Sequence, residues 1–131
     1  MPSRPETITR TIETNFTHKK IIPADQGRPL RGEFAKVVLR LEPLPRGDGL
    51  RFSSAVNPDW SRPEFVMGAE AGIRAGAQAG ILTGGPVVDI HVTLLETVYH
   101  YIDSKEQYFC IAAENAFRNG LHQAGAVIVE D

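Results

Sequence analysis

Apolar side chains recur at two periods along this chain, and the two periods divide it into strands and helices. Between residues 34 and 44, Ala35, Val37, Leu39 and Leu41 alternate with Lys36, Val38, Arg40 and Glu42. Successive side chains of a strand point to opposite sides, so this is a strand with one dry face. The same alternation runs from Val87 to Leu94, with Val88, Ile90, Val92 and Leu94 on one face and Val87, Asp89, His91 and Thr93 on the other. This second strand is expected to be central, with the other elements arranged around it. Ile8, Ile12 and Phe16 share one parity within residues 6 to 17 and predict an irregular or edge strand. Leu50-Arg51-Phe52 follows a Pro- and Gly-rich turn at residues 43 to 49 and reads as the second arm of a hairpin. Val127-Ile128-Val129 reads as a short final strand.

Two segments follow the helical period instead. Phe65, Ala69, Ile73 and Ala77 recur every fourth residue and predict the buried stripe of a helix running from Pro63 to about Ala79. Ser61 and Glu64 fit a capping box at its start, and Pro63 suits a first turn. Gly68, Gly72, Gly76 and Gly80 repeat at the same spacing. Each interior glycine costs roughly 0.5–1 kcal/mol relative to alanine, so a backbone is expected to pack closely on that face, with the domain's own sheet as the expected partner. Asp103 and Glu106 predict a second capping box. The helix after it turns Phe109, Ala112, Ala113, Ala116, Phe117 and Leu121 inward and ends near Gly125, where a left-handed cap is easily formed. Met1 to Pro5 reads as a loose lead-in, residues 57 to 63 as an irregular loop, and residues 18 to 33 as a long loop. The order of elements predicts an α+β fold, a mostly antiparallel sheet with two helices on one face. The other face would offer Lys36, Arg40, Asp89, His91 and Thr93.

Composition narrows the function. The 131 residues fit one domain spanning 1–131. Net charge is −2, from 14 basic and 16 acidic residues, so any contact with nucleic acid must rest on a local patch. The 18–33 segment offers one, setting Lys19, Lys20, Arg28 and Arg31 against Asp25. A single cysteine, Cys110, permits no intrachain disulfide and suits a reducing compartment. No apolar run approaches the roughly 18 residues a membrane span needs, and no signal-peptide pattern opens the chain, which points to the cytoplasm and away from membranes. There is no glycine-rich phosphate loop, no Cys/His ligand spacing and no GxSxG elbow. Hence neither a bound nucleotide, a metal nor another cofactor is expected, nor catalysis. His100, Asp103 and Glu106 could be drawn as an acid–base set, but capping already explains both carboxylates. Tyr99, His100 and Tyr101 could stack on exposed bases, or a tyrosine could simply cover the end of the sheet; both readings stand.

Residues 31 to 130 resemble the fourth domain of elongation factor G, the translocation GTPase. Arg31-Gly32-Glu33-Phe34-Ala35 is similar to the family's RGQYG segment, and residues 41 to 52, LEPLPRGDGLRF, to its EPLPxGxGFEF segment. Residues 84 to 94, GGPVVDIHVTL, resemble GFPVVDIKVTL, and Tyr99-His100-Tyr101-Ile102-Asp103-Ser104-Lys105-Glu106 resembles YHxVDSSE. Glu6-Thr7-Ile8-Thr9 is similar to the start of that domain, so the likeness spans nearly the whole chain. The strand and hairpin blocks are common in β proteins; VVDIxVTL joined to YHxxDSxE is specific.

The resemblance implies the ribosomal protein S5 domain 2-like fold, with a left-handed βαβ crossover that departs from the usual right-handed rule. It also implies a non-catalytic arm that binds the ribosome and the tRNA–mRNA region through tip loops at 18–33 and 96–103, with no GTPase activity of its own. Matching positions make His100, Arg31 and Gly32 the tip residues; Tyr99, Arg28, Lys19 and Lys20 join them as candidates for binding ribosomal or other structured RNA. Three departures fall at the tips: Pro29-Leu30 and Pro58-Asp59 each stand where the family has two glycines, and Thr97-Val98 where it has Gly-Ser. The chain is expected to be a free-standing paralogue, working with a separate translation factor, or a piece of a larger factor. A second reading is a protein-interaction domain that kept the fold and lost RNA binding.

Overall fold

The computed structural model describes residues 3–130; Met1, Pro2 and Asp131, which belong to the expected lead-in and to the expected 1–131 domain, lie outside them. Along the chain run β1 (Glu6–Thr7), β2 (Ile12–Ile22), β3 (Arg31–Pro43), β4 (Leu50–Ser54), a 3-10 turn (Pro58–Trp60), α1 (Pro63–Ala77), β5 (Ile90–Val98), α2 (Glu106–Ala124) and β6 (Val127–Ile128). Four strands form one sheet in the order β2-β3-β5-β4, while β1 and β6 pair as a separate two-stranded sheet. The β2–β3 and β3–β5 pairs are antiparallel and β4–β5 is parallel. The architecture is α+β: α2 packs across β2 and β3, and α1 lies against α2 and β5.

The 34–44 strand forms as its alternation predicts, with Ala35, Val37, Leu39 and Leu41 all buried. Its pairing differs from expectation in two places. Residues 18 to 22 and 31 to 33 are not loop. β2 and β3 stay in register from Ile12 opposite Leu41 to Ile22 opposite Arg31, so a two-stranded arm runs on toward the 23–30 loop. Both faces of that arm are largely solvated, so it lacks the alternation that marks a half-buried strand. The second difference is at Leu50-Arg51-Phe52, which does not pair with β3. β5 enters between them, and β4 lies parallel to it from Leu50 opposite Ile90 to Ser54 opposite Leu94, making β4–α1–β5 a βαβ unit.

β5 starts at Ile90, not Val87, because Asp89 has a left-handed backbone (φ 59). That reversal puts Val87, rather than Val88, into the core. Asp89 does not lie on an open polar face. It is 4% exposed, and its Oδ1 accepts the Gly47 and Gly49 amides at 3.1 and 3.0 Å, so it closes the turn between β3 and β4. Thr93 is buried as well. A second break in parity follows: Leu39 faces Leu94 but Val38 faces Glu96, leaving Leu95 as a bulge residue. Leu94 and Thr97 are therefore both buried.

The helices bury the expected residues: Phe65, Ala69, Ile73 and Ala77 on α1, and Phe109, Ala112, Ala113, Ala116, Phe117 and Leu121 on α2. Complete burial of Phe109 and Phe117 contributes roughly 1.5–3 kcal/mol each. Gly125 ends α2 in the left-handed conformation (φ 73). Neither capping box forms; Arg62 and Lys105 are the N-caps, without side-chain hydrogen bonds. Ser61 instead bonds the Thr97 hydroxyl. The glycine face of α1 meets α2, not the sheet: a Cβ on Gly68 would strike the Glu106 carbonyl, one on Gly72 the Cys110 carbonyl, and one on Gly76 would press on the Phe117 ring.

The N-terminal segment is anchored by one buried carboxylate. Glu6 is fully buried, and its oxygens accept the Leu82 amide at 2.9 Å, the Thr83 amide at 2.6 Å and the Thr83 hydroxyl at 2.9 Å. Burial alone would push its pKa up, but the Thr83 and Leu82 hydrogen bonds outweigh it and hold the carboxyl below its ordinary range.

Two stability tests follow from these contacts. Gly72→Ala should lower stability by about 1–3 kcal/mol in urea melts, overpacking outweighing the helix-propensity gain. Because the folded pKa of Glu6 is depressed, its contribution is present above the unfolded value and is lost as pH falls through the folded one. Glu6→Gln should therefore cost about 1–3 kcal/mol at neutral pH and flatten the acid limb of a stability-versus-pH curve.

Candidate functional site

The predicted site residues gather at the end of the sheet where β2 and β3 project and β5 gives way to residues 99–105. The projecting arm closes on itself: the Asp25 amide donates to the Arg28 carbonyl at 3.1 Å, and the Arg28 amide to the Asp25 carbonyl at 2.8 Å. Gln26 and Gly27 between them have φ 45 and 81, the double left-handed turn that suits the twist of a hairpin. Arg28 therefore sits at the extreme tip. Arg31 opens β3 opposite Ile22, and Lys19 and Lys20 pair across from Phe34 and Glu33. All four cations are exposed. Lys19 and Lys20 are neighbours on one strand, so they point to opposite faces of the arm.

The segment after β5 is fastened onto the base of this arm. The Phe34 amide donates to the Asp103 carbonyl at 2.9 Å, and the Ser104 hydroxyl donates to the Phe34 carbonyl at 2.7 Å while accepting the His100 amide at 2.8 Å. Gly32 permits the approach: a Cβ there would sit 2.7 Å from Asp103 Oδ2. A polar cleft of about 380 Å³ lies between the two segments, walled by Arg31, Gly32, Glu33, Ile102, Asp103 and Lys105. His100 is exposed, with its Nδ1 3.6 Å from Asp103 Oδ2 and its ring edge-on to Phe34 at 6.4 Å.

Tyr99 faces the other way. Its half-buried ring lies 5.3 Å from that of Phe65, and the Arg62 guanidinium sits 5.1 Å over it, so it covers the end of the core. Six of the seven predicted residues share one end, and Tyr99 supports it from behind. Sequence reasoning missed the brace underneath. His18 Nε2 and Glu33 Oε1 lie 2.9 Å apart, and the His18 ring stacks on Tyr108 of α2 at 5.5 Å. The His18 hydrogen bond, acting against burial, holds the Glu33 carboxyl below its usual range. Burial, then the Glu33 charge, pushes the Tyr108 hydroxyl up. Reading residues 18–33 as loop hid the pairing that brings His18 and Glu33 together diagonally across the arm, His18 standing opposite Ala35 and Glu33 opposite Lys20. Ile21, Leu30 and Ile102, between 64% and 77% exposed, were also missed, whereas Tyr101, singled out with Tyr99 and His100 as an aromatic run, is 83% exposed.

Among the described residues no group of three or more His, Cys, Asp or Glu side chains could hold a metal, and no helix is long and apolar enough to cross a membrane. Burial, with Glu114 and Glu106 adding to it, pushes the Cys110 thiol up, which makes it a poor nucleophile.

The family model for elongation factor G, domain IV, matches residues 3–125. The chain belongs to that family. Elongation factor G of Ehrlichia ruminantium is 37% identical over 125 residues, which cover 95% of this chain and 17% of that protein. The Ehrlichia canis protein of the same name is 36% identical over the same span. A crystal structure from Thermus thermophilus superposes with a TM-score of 0.82 at 29% identity, covering 96% of this chain and 18% of its own. The chain thus spans less than a fifth of these relatives. Thr97 and Val98 are the last residues of β5, and Thr97 is buried and bonded to Ser61. A β-branched pair at this point keeps the strand regular up to the 99–105 segment.

Gly32→Ala and Ser104→Ala should each detach that segment from the arm. Amide exchange of residues 99–104 is expected to accelerate by about tenfold for Ser104→Ala, the value of one hydrogen bond, with the α2 core amides unchanged.

Proposed function

We propose that this chain is a non-catalytic arm of the translation machinery, one domain over residues 1–131, which binds the ribosome or a structured RNA through the end built from the 18–33 hairpin and residues 96–103. The observation that carries the reading is the fastening of two segments, distant in sequence, into one end that bears Lys19, Lys20, Arg28, Arg31 and His100. The binding is physical: a few cations meet phosphates, and His100 and the exposed Tyr101 offer rings to unpaired bases. Gly32 contributes space, not contact, and Tyr99 contributes support from the core. The reading uses no nucleotide or other cofactor, and the work is done in the cytoplasm beside a factor that supplies GTP hydrolysis.

Because the chain is net acidic, affinity rests on this patch and is modest and salt-sensitive. Co-sedimentation with ribosomes should fall steeply across a salt series. Reversing Arg28 and Arg31 to Glu together with His100→Ala should reduce binding by at least about tenfold and flatten the salt slope by roughly two contacts. Unchanged affinity in that variant would sink the reading. A second reading, a protein partner at the same end, is favoured by the exposed Ile21, Leu30, Tyr101 and Ile102. It predicts a complex that survives nuclease and does not sediment with ribosomes.

A further inference from the structure

β5 is longer than the strand beside it. β4 accompanies β5 only from Ile90 to Leu94, and the Ala55 amide makes the last rung, to the Leu94 carbonyl at 2.9 Å. Beyond it the chain swings away into the Pro58–Trp60 turn, while β5 continues to Val98, paired on its other side with β3 as far as Lys36. Residues 95–98 are thus an internal strand with one edge open. That edge forms the wall of a groove of about 540 Å³, whose opposite wall is Ala55, Val56, Asn57 and Trp60. Among the described residues no backbone hydrogen bond crosses the groove. Trp60, the chain's single tryptophan, stands over it 75% exposed.

We propose that this groove accepts a short extended peptide of a partner protein, which adds to β5 as a strand at residues 95–98 and places a Lys or Arg beside Glu96. An open strand edge asks for a peptide backbone, since only alternating amide and carbonyl groups match its spacing. The apolar wall of Val56, Val98 and Trp60 asks for an apolar side chain on the same segment. The charge decides the rest: Glu96 is the one charged residue lining the groove, it is exposed, and among the described residues it has no ion-pair partner. Arg62, near the end of the groove, is engaged instead with the Tyr99 and Phe65 rings. The groove shares residues 96–99 with the segment of the RNA-binding reading, but none of the tip cations and not His100 lines it, so the tip-cation variants and the groove variants test the two readings separately.

Trp60 is a built-in reporter. A random heptapeptide display library selected on the folded chain, with a Trp60→Ala chain as counter-selection, should enrich alternating apolar sequences that contain Lys or Arg. The best synthetic heptapeptide should shift Trp60 emission to the blue and slow amide exchange within residues 95–99. N-methylating its alternate amides, in the phase that faces β5, should weaken binding about tenfold or more, and Glu96→Lys about as much. No enrichment over the Trp60→Ala chain, or binders indifferent to N-methylation in both phases, would overturn the proposal. A Trp60 shift produced by hexauridylate and by no selected peptide would overturn it too, assigning the groove to RNA.

Discussion

The closeness of α1 to α2 sets the rest of the structure. Gly68 and Gly72 present no side chain to the Glu106 and Cys110 carbonyls, and even a methyl group would collide with them. Drawn together along their glycine face, the two helices leave Phe65, Ile73, Phe109 and Phe117 to fill one continuous core beneath them. The entropy those glycines lose in a helix is offset by that shared burial. The same contact ties α1, which leads into β5, to α2, which follows it.

Rigidity then passes outward along β3. Its inner half is buried core strand, and its outer half is one side of a solvated arm. An isolated two-stranded ribbon is marginal in water, and this one is held by Tyr108 and the Glu33–His18 pair at its base. Ser104 and Asp103 bind the other segment to the same stretch of β3. Two pieces of chain that are far apart in sequence are in this way presented as one end. For the RNA partner we propose, cations on a braced arm would meet phosphates without the ordering cost that loose loops would add.

The turn at Pro58-Asp59 shows how a local backbone choice shapes the surface. With Trp60 this pair forms a short 3-10 turn held by the Asn57 side chain, and that turn leads the chain away from β5 and opens the strand edge beside it. The conformation of one turn thus decides which part of the sheet edge is available.

Alternation and helical spacing determined much of this protein. The dry face of residues 34–44, the buried stripes of both helices and the cap at Gly125 depend on local period and local conformation, and each formed as read. The likeness of GGPVVDIHVTL and YHYIDSKE to elongation factor G domain IV pointed to the end at which we propose the site. Tertiary structure alone decided the partners. The parallel pairing of β4 with β5 is a long-range choice that a turn rich in Pro and Gly cannot announce. The left-handed Asp89 and the bulge at Leu95 each shift parity by one residue, which a strict count by twos carries through unbroken. Glycine spacing showed that a backbone must come close but not that it would be α2. The arm hid its strands because both faces are wet, and a period is visible only where one face is dry.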